Sequence, residues 1–65
     1  MSPDEILSVL TEAFPRWTFT REQEVWRANG PVILTGTNLA ELLLLLAFAD
    51  PAATAAHPEI WELIR

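Results

Sequence analysis

A single histidine, His57, stands two residues before Glu59 and five before Glu62. Imidazole next to carboxylate is the material of acid–base catalysis and of metal ligation. Neither is well served here. A zinc site takes about four convergent ligands, the chain has no cysteine, and Glu59 and Glu62 are the only carboxylates near His57 in sequence. Because His57 directly precedes Pro58, it also fits the cap of a helix. Ser2 and Ser8 have no evident base to activate them as nucleophiles. Gly30 and Gly36 are isolated turn glycines and make no phosphate-cradling loop. The residues therefore predict no enzyme, no cofactor and no metal. Arg16 and Arg27, together with Thr18 and Thr20, are the one candidate surface for phosphate. The bland reading of the same residues is a solvated face with ion pairs to Glu22 or Glu24. With nine acidic residues against four basic and a net charge of −5, the chain as a whole repels polyanions, and no nucleic-acid partner is expected.

What remains is the chemistry of burial. Leu42 to Leu46 is an unbroken run of leucine, flanked by Leu39-Ala40 and Ala47-Phe48-Ala49. On a helix, Leu39, Leu42, Leu43 and Leu46 form one stripe, while Leu44, Leu45 and Phe48 form most of the opposite one, interrupted by Glu41. A surface helix needs one apolar stripe. The second must be covered by another part of the chain, by a second copy or by another protein. The short C-terminal helix that carries Trp61 is the intramolecular candidate, and Trp61 reads equally as a clamp or as an interface anchor. Trp17 and Trp26 read as core residues on strands.

Elements to position these residues are legible along the chain. Ser2-Pro3-Asp4-Glu5 is a helix start with a capping box and proline at the first position. Ile6, Val9, Leu10, Ala13 and Phe14 follow on one face, with Leu7 at its edge, until Pro15 ends the helix. Residues 16–20 alternate polar and aromatic, which predicts a strand. Arg21-Glu22-Gln23 is a plausible connection, and residues 24–28 read as a second strand. Asn29-Gly30 predicts a tight type I′ turn, which pairs Ala28 with Pro31, Trp26 with Ile33 and Val25 with Leu34, although Pro31 could lengthen the loop and shift this register by one. Residues 32–35 are a β-branched third strand. Asn38 caps the leucine helix, Asp50-Pro51 stops it, and His57-Pro58-Glu59 starts a short last helix carrying Ile60, Trp61, Leu63 and Ile64. The expected fold is α+β: a three-stranded antiparallel meander with helices packed on one face, in the order α-β-β-β-α plus a short C-terminal helix, as one domain over residues 1–65. Trp17, Phe19, Trp26, Ala28 and Ile33 are expected to face the helices; Arg16, Thr18, Thr20, Val25, Arg27 and Leu34 are expected to face outward.

A domain of this size buries only about 60% of its unfolded surface. Without disulfides it depends on good packing or on oligomerisation, and an apolar content of 51% supports either. No basic, apolar leader opens the chain. The leucine segment falls short of the roughly 20 apolar residues that span a bilayer, so a cytoplasmic protein without membrane attachment is expected.

The α-β-β-β-α order resembles double-stranded-RNA-binding domains in topology alone. Those domains carry a basic start to the last helix, where this chain has Thr37-Asn38-Leu39-Ala40-Glu41. Phe14-Pro15-Arg16-Trp17, Trp26-Arg27-Ala28 and the run from Thr37 to Leu42 are similar to a pattern in small proteins of GC-rich actinobacteria. That resemblance implies the fold and brings no activity. The expected function is a non-catalytic protein–protein interaction module, self-associating as a homodimer through Leu44, Leu45 and Phe48 with Trp61 beside them. The alternative is a small acidic regulator that presents Glu41, Asp50, Glu59 and Glu62 to a basic site on a larger protein.

Overall fold

The computed structural model describes all residues from Met1 to Arg65. The order is α1 (Pro3–Ala13), β1 (Thr18–Glu22), β2 (Val25–Asn29), β3 (Ile33–Gly36), α2 (Leu39–Ala49), α3 (Pro51–Ala56) and a closing 3₁₀ helix (Pro58–Ile64). The strands form one open antiparallel sheet in the order β1-β2-β3. This is the expected α+β fold, with helices before and after the meander.

Local chemistry sets the helix boundaries. The Ser2 hydroxyl accepts from the Glu5 amide at 3.3 Å and the Glu5 carboxylate accepts from the Ser2 amide at 3.4 Å. Two backbone donors of the first turn are satisfied reciprocally. The buried face of α1 is centred on Leu10 and continues into its C-cap residue Phe14, with Ile6, Leu7 and Ala13 half-buried. Val9, expected inside, is exposed; it lies about 100° from Leu10 on the helix, so Val9 and not Leu7 marks the outer edge. At the start of α2, the Asn38 side chain accepts from the Glu41 amide at 2.8 Å.

The two hairpins depart from expectation in instructive ways. β1 runs on through Arg21 and Glu22, so the first loop is Gln23-Glu24 alone, with Glu22 opposite Val25. Gln23 takes a positive φ of 56°, the left-handed conformation that such tight hairpin loops demand and that glycine adopts most readily. The second loop is longer than a two-residue turn. Asn29 pairs with Ile33, so Gly30, Pro31 and Val32 form the connection, closed by a bond from the Gly30 amide to the Val32 carbonyl at 3.1 Å. Pro31, which has no amide to give a ladder, is thereby placed outside the strands.

Ala28 consequently faces Leu34 and not Pro31, a register shift of three residues. An odd shift exchanges the faces of a strand. Leu34 therefore turns toward the helices and is half-buried, while Ile33 turns out and is 71% exposed. The expected Val25–Leu34 pair on the outer face does not form.

The core lies between the inner face of the sheet and the helices. Phe14, Trp17, Phe19, Trp26 and Ala28 meet Leu10, Leu39, Leu42, Leu43, Leu46 and Ile60 there. Gly30 is required by this packing and not by its backbone angle, because a Cβ at that position would stand 2.6 Å from Cε3 of Trp17.

Candidate functional site

The structure disperses the polar groups that could make a site. Arg27 lies on the outer sheet face, in one cross-strand row with Thr20 and Thr35. Arg21 points to the other face, its guanidinium 5.3 Å from the centre of the Trp26 ring, within cation–π range. Arg16 precedes β1 and lines a small hollow of about 120 Å³ with Phe14, Trp17, Ala53, Asp50 and His57. The central arginines thus occupy three different places.

Each acidic residue proposed for binding a basic partner already has a partner of its own. Asp50 caps α3, accepting from the Ala53 amide at 3.4 Å, and its second oxygen accepts from the Trp17 indole at 3.1 Å. This bond ties the end of α2 to the start of the sheet. Glu41 accepts from the Thr37 hydroxyl at 3.3 Å. Glu62 pairs with Arg65 at 3.1 Å.

His57 occupies the cap position of the 3₁₀ helix without capping it through its side chain. Its Nδ1 donates to Glu59 at 2.9 Å, and its ring stands edge-on to Phe14 at 5.5 Å. The His57 hydrogen bond, aided by a backbone hydrogen bond, holds the Glu59 carboxyl below its ordinary range. No group of three or more metal-ligating side chains converges.

The apolar site is different in kind. Leu39, Leu42, Leu43 and Leu46 are all buried, as the stripe predicts. On the opposite face Leu44 is 57% exposed and Phe48 is 87% exposed. Leu45 and Trp61 are half-buried at intermediate positions. Trp61 packs against the core, but Ile60 beside it is the residue that the fold encloses completely. The C-terminal segment therefore closes the core without covering Leu44 or Phe48. Ala40 was not picked out from the sequence. It lies eight residues before Phe48 and four before Leu44, and so begins the same row along the helix. Its spacing was the available signal. Val32 and Ile33 form a second exposed apolar pair at the β2–β3 loop, missed because of the register shift.

Fold and surface together define a small α+β domain with an uncovered apolar helix face. No helix is long and apolar enough to cross a membrane. No protein-family model, curated protein or solved structure matches this chain.

Proposed function

We propose that this protein is a cytoplasmic, non-catalytic interaction module that self-associates through the outward face of α2. The observation that carries this reading is the exposure of Leu44 and Phe48 on a helix whose only charged residue is Glu41. Full burial of such a side chain contributes roughly 1.5–3 kcal/mol, a gain that the isolated chain forgoes almost entirely at Phe48 and about half at Leu44. Leu44 and Phe48 are the anchors, with the half-buried Leu45 next to Leu44 along the helix.

The acidic-regulator reading has less support, because Glu41, Asp50, Glu59 and Glu62 are all engaged within the chain.

Sedimentation at two concentrations and two salt concentrations tests the proposal. The expected result is a concentration-dependent dimer that persists or tightens in high salt, since salt screens the repulsion between two chains of charge −5. Phe48→Glu should abolish the dimer while the circular dichroism spectrum stays that of the parent. A chain that stays monomeric throughout would remove the self-association reading. Binding to a basic protein that vanishes with salt would favour the acidic alternative.

A further inference from the structure

The chain has two asparagines, Asn29 and Asn38, and of these Asn29 is followed by glycine. Asparagine is a thermolabile residue, because the backbone nitrogen of the next residue can attack its carboxamide carbon. Glycine has no side chain to obstruct that nitrogen, and it leaves the backbone free to bring the two atoms into line. Leu39, which follows Asn38, does the reverse. We propose that Asn29-Gly30 is a site of spontaneous deamidation that the folded core holds shut, so that modification proceeds through molecules in which Trp17 has left its seat on Gly30.

The chemistry needs only solvent. The Gly30 amide gives its proton to a base in the solvent, and its nitrogen forms a bond to Cγ of Asn29. The tetrahedral intermediate takes a proton on Nδ2 and breaks the Cγ–Nδ2 bond, which releases ammonia and leaves a five-membered succinimide. Water then adds to one of the two ring carbonyls. Breaking the ring bond to Cγ gives aspartate; breaking the bond to the main-chain carbonyl carbon gives isoaspartate. Amide and water become carboxylate and ammonium, and nothing is oxidised or reduced.

Three features of the fold oppose these steps. First, β2 is the central strand, and Asn29 is paired on both sides, with Thr18 and with Ile33. Its backbone is extended there, and ring closure needs ψ turned far from the extended value of about +135°. Second, the N–H that must ionise is in use: the Gly30 amide donates to the Val32 carbonyl at 3.1 Å. Third, Gly30 lies against the Trp17 ring, so closely that a Cβ there would stand 2.6 Å from Cε3 and 2.7 Å from Cδ2. The ring is 2% exposed and is held by Asp50 through a 3.1 Å hydrogen bond. The loop turns when that ring moves, and the ring moves when the core opens.

The same tightness works against the product. Isoaspartate carries the main chain through Cβ and Cγ and so adds one methylene next to Gly30, where even a methyl group has no room. Either product also adds a negative charge to a chain that already carries −5. A modified chain is therefore less stable than its parent and opens more often.

Deamidation of the full chain is followed at one pH and temperature, in buffer and in guanidinium chloride that unfolds it. Anion exchange and the mass of the peptide containing residue 29 give the rate. Asn29 should be lost in buffer roughly tenfold or more slowly than in denaturant, with Asn38 intact over the same period. Leu46→Ala should raise the rate in buffer to that of the denatured chain and leave the rate in denaturant unchanged. Ile60→Val, a smaller loss from the core, should raise it part of the way. Equal rates for the parent in the two solvents would show that the fold does not guard the site. A rate in buffer that neither core variant moves, although both lower the denaturant midpoint, would show that the loop opens without the core. Faster modification at Asn38 would place the labile residue elsewhere. Each of these three results overturns the proposal. The purified isoaspartyl form should also have a lower denaturant midpoint than the Asn29→Asp variant, and equal midpoints would overturn the exclusion of that product from the loop.

Discussion

The two faces of α2 both carry leucine and do opposite things. Leu46 and Leu44 are two positions apart; one is fully buried and the other is more than half exposed. Composition cannot distinguish them, because the run from Leu42 to Leu46 is uniform. Helical phase distinguishes them, and phase is set from outside the run. The Asn38 cap fixes where the helix begins, and the bond from Trp17 to Asp50 fixes where its far end sits against the sheet. The lesson is that a homopolymeric segment takes its orientation from its polar ends.

The sharpest way to break this comparison is to truncate one leucine on each face. Leu46→Ala removes a fully buried side chain and should destabilise the protein by about 2–5 kcal/mol, enough to unfold a domain this small. Leu44→Ala should change the stability of the monomer by no more than about 0.5 kcal/mol while weakening self-association. Urea titration of both variants checks the contrast. Equal losses would mean that α2 has no distinct outer face.

Next in size is the seat of Trp17. Gly30→Ala places a methyl group 2.6–2.7 Å from the indole ring. The ring is 2% exposed and tethered through its N–H to Asp50, so it has little freedom to move aside. A loss of about 1–3 kcal/mol is expected, read as a lower urea midpoint together with a changed tryptophan fluorescence. The end of α2 shares this anchor, so a shift in the exposure of Phe48 should accompany it. An unaltered midpoint would show that the sheet, not the Trp17–Asp50 bond, holds α2 in phase.

Gln23→Gly acts far from either face and in the opposite direction. Gln23 holds a positive φ of 56°, where a side chain is strained and glycine is not. Relief of that strain, less the extra entropy of an unfolded glycine, should leave a gain of up to about 1 kcal/mol, seen as a higher melting temperature with no change in the proposed self-association.

How much of this was legible in the sequence depends on whether the deciding interaction is local. The capping box at Ser2 and Glu5, the stop at Asp50-Pro51 and the inner leucine stripe are decided within a turn or two of helix, and they were readable. The β2–β3 register was not. Asn29-Gly30 is a strong signal for a two-residue turn, but Trp17, distant in sequence, packs on Gly30, and Pro31 cannot enter the ladder. Those two facts lengthen the loop and exchange Ile33 with Leu34. For the candidate site, Leu44 and Phe48 followed from helical spacing alone. The half-burial of Leu45 and the enclosure of Ile60 in preference to Trp61 depend on how the C-terminal segment folds back, which periodicity does not encode.

The smallest expected effect concerns the His57–Glu59 pair. Its 2.9 Å hydrogen bond lowers the Glu59 carboxyl below the ordinary range. A carboxyl depressed in the folded state binds protons more readily when the chain is unfolded. Its contribution to stability is therefore present above the unfolded value and lost as pH falls through the lowered folded value. Glu59 is a surface residue, so solvent screens the pair and the effect is slight. Glu59→Gln should accordingly leave the melting temperature near neutral pH almost unchanged and flatten the acid limb of the stability curve slightly. The proposed self-association should be indifferent to it, because His57 and Glu59 lie outside α2. Were the variant to weaken self-association, the proposed contact surface would include the C-terminal segment, and the contrast between the two faces of α2 would no longer account for it.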